Sequence, residues 1–213
     1  MLVKDIMVYN VITVSSDTHV LDAEKIMEFH RIGRLPVVDK GKLVGLITKD
    51  DILKASPSTT TPANQRQLFY LMSKLTVKDI MKTNIVSVSP DTTIEKAVAI
   101  AQKNKIGFLP VVEGDRVLGI ISQTDAFYKI LCPLLGIGET GTRIIVYGAG
   151  TREESHKVMD VIIKAGLKVK TFWIPPDKDK FDLVLHLETD DANSIMKELR
   201  DLGYKVDLRE YTA

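Results

Sequence analysis

Residues 3–7 read VKDIM, residues 32–39 read IGRLPVVD and residues 45–51 read GLITKDD. The first stretch occurs twice in this chain unchanged, and the other two recur with substitutions. The second occurrences, in the same order, are VKDIM at 77–81, IGFLPVVE at 106–113 and GIISQTD at 119–125. The two copies, residues 3–54 and 77–128, align without a gap, and about 20 of roughly 52 positions are identical. This duplication predicts two copies of one supersecondary unit that stack, share a core and form two related clefts.

Each copy has the same predicted order of elements. β-Branched residues at 11–14 and 85–88 predict a short strand, which is followed by turn and helix-start residues. Apolar residues then recur at helical spacing, and we expect the two helices to end at Gly33 and Gly107 in left-handed caps. In the first copy two strands at 35–38 and 43–48 follow, joined by a hairpin turn over 39–42, and a last helix opens at Lys49.

The remaining segments also have recognisable patterns. Residues 55–62 are rich in Ser, Thr and Pro and predict a linker, and residues 64–75 predict a connecting helix. Beyond the glycines at 136–141 the order strand, helix, strand, strand, helix, strand indicates a ferredoxin-like βαββαβ unit. Its predicted elements are strand 142–147, helix 153–165, strands 168–174 and 181–188, helix 191–202 and strand 204–209. Gly166 and Gly203 lie where helix caps are expected.

Composition excludes several classes of function. Lys and Arg number 29 and Asp and Glu 28, so no overall charge attracts nucleic acid or a membrane surface. A single cysteine excludes an internal disulfide framework, and the four histidines show no metal-ligand spacing, so we expect no metal. The N-terminus shows no signal peptide and the apolar runs are too short to span a bilayer, which predicts a cytoplasmic protein.

The three repeated motifs, in this order, resemble a tandem CBS-domain pair (a Bateman module) over about residues 1–132. The C-terminal βαββαβ order resembles an ACT domain, and the combination is similar to the acetoin-utilisation AcuB group. The resemblance implies an α+β fold with two CBS repeats packed as a pseudo-twofold pair, followed by the ACT-type domain. The expected bounds are repeat 1 at 1–58, a linker with connecting helix at 59–76, repeat 2 at 77–135, a glycine-rich linker at 136–141 and the ACT-like domain at 142–213.

The family's usual role is to bind an adenosine nucleotide, and the residues at the ends of the repeats suit that role. Asp51 and Asp125 can each accept hydrogen bonds from the two neighbouring hydroxyls of a ribose, beside Thr48 and Ser122. The alternative is that these aspartates only cap helices. Thr48 and Ser122 could equally be the caps, which would leave the aspartates available to a ligand.

By the same resemblance, the adenine ring and the phosphates have their own candidate residues. Arg34 precedes the LPVV motif and suits phosphate, whereas its counterpart Phe108 does not. If each cleft draws its base-binding wall from one repeat and its carboxylate from the other, Arg34 serves the Asp125 cleft and Phe108 faces the Asp51 cleft. We expect the Asp125 cleft to prefer a phosphorylated adenosine; the Asp51 cleft is then empty or takes a less charged adenosyl ligand, with Lys49 a further phosphate candidate. The adenine candidates are Val14, Ile32, Gly33 and Pro36, and in the second repeat Val88, Ile106, Gly107 and Pro110.

The expected function is that of a non-enzymatic regulator, because no nucleophile–base pair, phosphate loop or metal cluster appears in the sequence. Its effector is AMP, ADP, ATP or another adenosyl compound, its partners are a second copy of the chain and a target protein, and neither nucleic acid nor a membrane is expected. Rival interpretations are a dimerisation scaffold without nucleotide binding, and a factor or enzyme acting on acetoin or another small metabolite.

Overall fold

The computed structural model describes residues 1–55, 70, 72–176 and 179–209, which divide into two compact units at Asp125 and Ala126. The first unit contains both repeats, and the second contains the C-terminal sheet. The predicted domain bounds given above stay predictions. Of the linker predicted over 55–62, Ala55 still belongs to a helix, and residues 56–62 lie outside the described residues. Most of the predicted connecting helix also lies outside them, although Tyr70 and residues 72–74 are helical.

The two repeats contain equivalent elements. Repeat 1 consists of α1 (Val3–Ile6), α2 (Val20–Phe29), β1 (Arg34–Asp39), β2 (Lys42–Thr48) and α3 (Lys49–Ala55). Repeat 2 consists of α4 (Val77–Ile80), α5 (Ile94–Asn104), β3 (Phe108–Glu113), β4 (Arg116–Ser122) and α6 (Gln123–Ala126). The predicted helices, strand pairs and final helices are therefore confirmed in both repeats.

Each strand pair is an antiparallel hairpin with the same irregularity. The register shifts between Val37 and Val38 in β1–β2 and between Val111 and Val112 in β3–β4. In the first hairpin the turn residues Lys40 and Gly41 both have positive φ, at 50° and 81°. This conformation is typical of tight hairpin turns, so the turn prediction over 39–42 is confirmed.

Two local predictions were wrong. Residues 11–14 and 85–88 form no strand, because each pairs only through a single parallel bridge, Val14 with Val37 and Val88 with Val111. The helices do not end at Gly33 and Gly107, neither of which has a positive φ. Helix α2 ends at Phe29 and α5 at Asn104, and the left-handed residues are Arg31 (φ 53°) and Lys105 (φ 54°). A non-glycine residue can occupy this position at a modest steric cost, so no glycine was required.

The second unit begins with a short helical stretch, a π-helical turn at Phe127–Leu131 followed by α7 (Cys132–Leu134). Its sheet and helices are β5 (Thr142–Val146), α8 (Arg152–Lys164), β6 (Val169–Trp173), β7 (Leu183–Leu187), α9 (Asn193–Asp201) and β8 (Val206–Leu208). The strands lie in the order β6-β7-β5-β8, and all neighbouring pairs are antiparallel. The predicted βαββαβ order is confirmed, with ends that differ by one or two residues.

The core of this unit forms between one face of the sheet and the two long helices. Leu183, Leu185 and Leu187 of β7 are fully buried against apolar residues of α8 and α9. Gly166 and Gly203 follow these helices with φ of 70° and 95°, so both predicted caps are confirmed.

The glycine-rich segment at 136–141 is held against this sheet. The Arg143 guanidinium donates to the carbonyls of Leu135 and Gly136 at 3.3 and 2.9 Å. Gly141 has a φ of 114°, and a Cβ there would lie 2.3 Å from the carbonyl oxygen of Leu187. Glycine is therefore required at 141 for both conformation and space. None of the helices in the described part of the chain is long and apolar enough to cross a bilayer.

Candidate functional site

The segment that opens each repeat packs against the other repeat. Val8 and Ile120 exchange backbone hydrogen bonds of 2.8 and 3.0 Å, and Lys82 and Leu46 exchange two of 2.9 Å. Val8 is equivalent to Lys82 in the aligned repeats, and Leu46 is equivalent to Ile120. The same contact is thus made in both directions, so the repeats are related by approximate twofold symmetry and each cleft is built from both.

This crossed packing explains the glycine that opens the GLIT and GIIS motifs. A Cβ on Gly119 would lie 2.7 Å from Met7 Sδ and 3.0 Å from the carbonyl oxygen of Val8. A Cβ on Gly45 would lie 2.3 Å from Met81 Sδ. The methionine that ends VKDIM therefore occupies the space left by the glycine of the other repeat, and the two motifs depend on each other.

A cavity of about 540 Å³ lies in one of the two clefts. We call it the Asp125 cavity. Repeat 1 lines it with Val8, Asn10, Ile12, Ile32, Gly33, Arg34 and Pro36. Repeat 2 lines it with Gly107, Phe108, Ile120, Ser122, Gln123, Thr124 and Asp125. An apolar wall from the first repeat thus faces a polar turn from the second.

Ser122 and Asp125 form a reciprocal cap at the start of α6. The Ser122 backbone N–H and hydroxyl donate to Asp125 Oδ2 at 2.9 and 2.6 Å, and the Asp125 N–H donates to Ser122 Oγ at 3.2 Å. Thr48 and Asp51 do the same at the start of α3, with distances of 3.0, 2.6 and 3.2 Å. The hydroxyl and the carboxylate cap each other, so the aspartates take part in the caps and are not left outside them.

Arg34 and Phe108 contact each other in the Asp125 cavity. The Arg34 guanidinium carbon lies 5.4 Å from the centroid of the Phe108 ring, within the range of a cation–π contact. Both side chains line the Asp125 cavity, so the expectation that Phe108 faces the Asp51 cleft was wrong. Phe108 pairs directly with Ser122, and Arg34 pairs in the same way with Thr48. Because directly paired residues project to the same face of a sheet, each side chain also lies beside the cap of its own repeat.

The adenine candidates divide into three groups. Ile32, Gly33 and Pro36 line the Asp125 cavity, and Gly107 lines it from the opposite side. Val14 does not: it is 6% exposed and packs in the core of repeat 1. The candidates Val88, Ile106 and Pro110 are the second-repeat counterparts and do not line this cavity.

Sequence reasoning missed several lining residues, including Val8, Asn10, Ile12, Ile120 and Thr124. The first three directly follow VKDIM, and the last two lie inside the GIISQTD motif. Their proximity to the motifs was the available signal, but the crossed packing that brings them together was not readable from one sequence.

The second cleft, which we call the Asp51 cleft, contains an ion pair. Lys82 Nζ lies 2.8 Å from Asp51 Oδ1, and the Asp51 side chain is only 8% exposed whereas that of Lys82 is 60% exposed. Burial alone would raise the pKa of Asp51, but the hydrogen bonds from Lys82 and Thr48 outweigh it and hold the pKa below its ordinary value. Asp51 is therefore ionised and bonded at both carboxylate oxygens.

The second phosphate candidate, Lys49, lies at the surface. Lys49 is exposed at the first position of α3, where its backbone N–H donates to the carbonyl of Gly33 at 3.0 Å. Within the described ranges no three His, Cys, Asp or Glu side chains form a group that could hold a metal ion.

Comparison with known proteins supports this description of the first unit. The CBS domain family model matches residues 3–58 and 77–131, more than half of the chain. The CBS domain-containing protein YhcV of Bacillus subtilis is 32% identical over 123 residues, which are 58% of this chain and 81% of that protein. Inosine-5'-monophosphate dehydrogenase of Korarchaeum cryptofilum is 32% identical over 139 residues, but this match spans 65% of this chain and only 26% of the enzyme.

Solved structures give the same result. A protein of Vibrio cholerae assigned to acetoin utilization (AcuB) matches with a TM-score of 0.54 and 31% identity, over 65% of this chain and 95% of that one. The CBSX2 protein, crystallised in complex with AMP, matches with a TM-score of 0.50 and 27% identity, over 61% of this chain and 96% of that one. Both motif copies, both hairpins and the crossed packing agree with these matches. The chain belongs to the CBS domain family and carries a pair of CBS domains.

Proposed function

We propose that this chain is a regulatory, non-enzymatic protein that binds an adenosine nucleotide (AMP, ADP or ATP) in the Asp125 cavity. The observation that carries the proposal is that one cavity brings together an apolar wall, a carboxylate and a guanidinium. Its volume of about 540 Å³ is within the usual range for small-molecule sites.

Each part of a nucleotide has a suitable partner there. Ile12, Ile32 and Pro36 offer an apolar surface to the adenine ring. The Asp125 carboxylate lines the cavity, and a carboxylate is a suitable acceptor for the two neighbouring hydroxyls of a ribose. Arg34 donates to phosphate oxygens through its planar fork of N–H groups. The AMP complex of CBSX2 supports this choice of ligand class.

The location of the cavity also supports a regulatory role. Both repeats line it, so a bound nucleotide contacts both and stabilises the arrangement of the repeats that it fits better. We propose that a homodimer of the chain passes this shift to a target protein, and that the second unit, which we interpret as ACT-like, takes part. Hydrogen exchange with and without AMP tests the shift: slower exchange in both repeats supports it, and slower exchange in only one contradicts it.

Titration calorimetry with AMP, ADP, ATP and adenosine tests ligand binding. Asp125→Asn keeps a side-chain oxygen for the cap but removes the negative charge offered to ribose, and we expect at least a roughly tenfold loss of AMP affinity. Asp79→Asn is the matched control, because Asp79 forms the same cap with Thr76 at 2.8 Å but does not line the cavity.

Unchanged AMP affinity in Asp125→Asn contradicts the assignment of the site. Absence of heat from every nucleotide in a folded, dimeric wild-type protein contradicts nucleotide binding itself and favours the scaffold interpretation. Circular dichroism melting of each variant identifies any loss that is due to unfolding.

A further inference from the structure

We infer that Phe108 is a positioning residue for Arg34: its ring holds the guanidinium in the Asp125 cavity, where the phosphate of a bound nucleotide is expected. The inference deepens the proposed function and rests on it. It gives Phe108 a role in the preference for phosphorylated over unphosphorylated adenosine, although its ring does not itself bind the phosphate.

The two residues occupy equivalent positions in the two repeats. Arg34 begins β1 and pairs with Thr48, and Phe108 begins β3 and pairs with Ser122. The approximate twofold symmetry of the repeats brings these positions together, and both side chains line the Asp125 cavity. Two arginines at this contact would repel each other, whereas an arginine and an aromatic ring attract each other.

The Phe108 ring provides a fixed surface for a flexible side chain. Phe108 is only 6% exposed, and its backbone is held in the β3–β4 hairpin. Arg34 is half-buried, and its guanidinium carbon lies 5.4 Å from the ring centroid, within the roughly 6 Å limit of a cation–π contact. An arginine that is already restricted in this way loses less rotamer freedom when it binds a phosphate.

An aromatic ring can orient the guanidinium without competing with a phosphate for it. The ring attracts the cation through its quadrupole but carries no net charge, so the positive charge of Arg34 is not neutralised. A carboxylate partner would also orient the side chain, but it would accept the same paired N–H bonds that a phosphate accepts. The contact with Phe108 therefore suits an arginine that has to be positioned and still bind an anion.

Calorimetric titration with AMP and adenosine tests the inference, because the ratio of the two dissociation constants measures the contribution of the phosphate. We expect wild type to prefer AMP by about tenfold and Phe108→Leu, which lacks the ring, by only about threefold. The adenosine affinity of Phe108→Leu should equal that of wild type. Phe108→Tyr retains the ring face and should retain the tenfold preference.

The double variant is the matched control. Arg34→Ala should bind AMP and adenosine equally, and adding Phe108→Leu should not change that ratio, since the ring acts through the guanidinium alone. Phe108→Met repeats the test with a second apolar side chain in place of a buried ring. Circular dichroism melting of each variant separates a change in binding from a loss of folded protein.

Each outcome has a distinct meaning. A tenfold preference retained without the ring, an equal loss of AMP and adenosine affinity, or a lost preference in Phe108→Tyr overturns the inference and leaves nucleotide binding intact. Equal affinity of wild type for AMP and adenosine, or a preference that Arg34→Ala retains, contradicts phosphate recognition by Arg34 and overturns the inference with it. No binding of either ligand by folded wild type overturns both the inference and the proposed function.

Discussion

The Asp125 cavity and the Asp51 cleft are built from equivalent elements of the two repeats. Each places a hydroxyl–aspartate cap at the start of a helix, and each is closed by the opening segment of the other repeat. They differ where Val8 lines one and Lys82 forms an ion pair in the other. The duplication thus preserves the backbone contacts of both clefts, while the side chains at the equivalent positions 8 and 82 differ in charge.

In both clefts the aspartate also has a structural role. Asp51 accepts two hydrogen bonds from Thr48, and Asp125 accepts two from Ser122, at the start of the helix that each pair caps. The presence of the carboxylate therefore does not by itself identify a ligand site. The groups around each carboxylate have to be considered with it, and at positions 8 and 82 these groups differ.

The largest effect on AMP affinity is expected when a lysine is introduced into the Asp125 cavity at the position equivalent to Lys82. Val8→Lys should place an ammonium beside Asp125 and raise the Kd for AMP by roughly 10- to 100-fold, since a charge-assisted hydrogen bond contributes about 1.5–3 kcal/mol. Val8→Met is the control, because methionine is long, flexible and uncharged. Calorimetry compares them, and equal AMP affinity in the two variants contradicts the role of the charge.

The next effect concerns the glycines against which the methionines pack. Gly119→Ala brings a Cβ within 3.0 Å of the Val8 carbonyl oxygen as well as against Met7, and overpacking of this kind costs about 1–3 kcal/mol of stability. Gly45→Ala meets only side-chain atoms of Met81 at its nearest contacts. Urea unfolding should show both to be destabilised.

The two glycine variants should differ in ligand binding. Gly119→Ala should also weaken AMP binding, because it displaces Val8, whereas Gly45→Ala should leave the affinity unchanged. Weaker binding in Gly45→Ala with normal binding in Gly119→Ala would show that the working cleft has been assigned wrongly.

A smaller effect is expected from the phosphate contact. Wild type should prefer AMP to adenosine by about tenfold, which corresponds to roughly 1.4 kcal/mol from the Arg34 guanidinium. Arg34→Ala should bind the two ligands equally. Arg116→Ala is the control, since Arg116 is exposed at the far end of β4. An unchanged preference in Arg34→Ala contradicts phosphate recognition by this residue.

The smallest effect is a pH dependence of the Asp51 ion pair. The pKa of Asp51 is held below its ordinary value of 3.8, so this pair stabilises the fold above about pH 4 and the contribution is lost as the pH falls further. Because Lys82 is largely exposed, the pair contributes only about 1 kcal/mol. Urea unfolding at pH 7 and pH 3 should show that Lys82→Val is destabilised relative to wild type at pH 7 and less destabilised at pH 3. A difference of the same size at both pH values argues against an ionic contribution.

Local elements could be predicted well from the sequence because their signals are local. The hairpin turn at Lys40 and Gly41 and the caps at Gly166 and Gly203 depend on neighbouring residues alone. The helix ends were wrong because the chain reverses at Arg31 and Lys105, where no sequence signal distinguishes a left-handed lysine or arginine from a helical one.

Contacts between the repeats were harder to predict because they depend on which copy each segment packs against. The sequence indicated that Arg34 and Asp125 share a cleft only through resemblance to the family, and it misplaced Phe108. The ion pair of Lys82 with Asp51 joins residues of different repeats. Periodicity reports which face of an element is buried and carries no information about the partner across that face.

A crystal structure of the wild-type protein with AMP tests the central claim most directly. We expect a nucleotide in the Asp125 cavity, with its ribose hydroxyls on the Asp125 carboxylate and its phosphate at Arg34. A nucleotide bound elsewhere while the Asp125 cavity stays empty contradicts the proposed site.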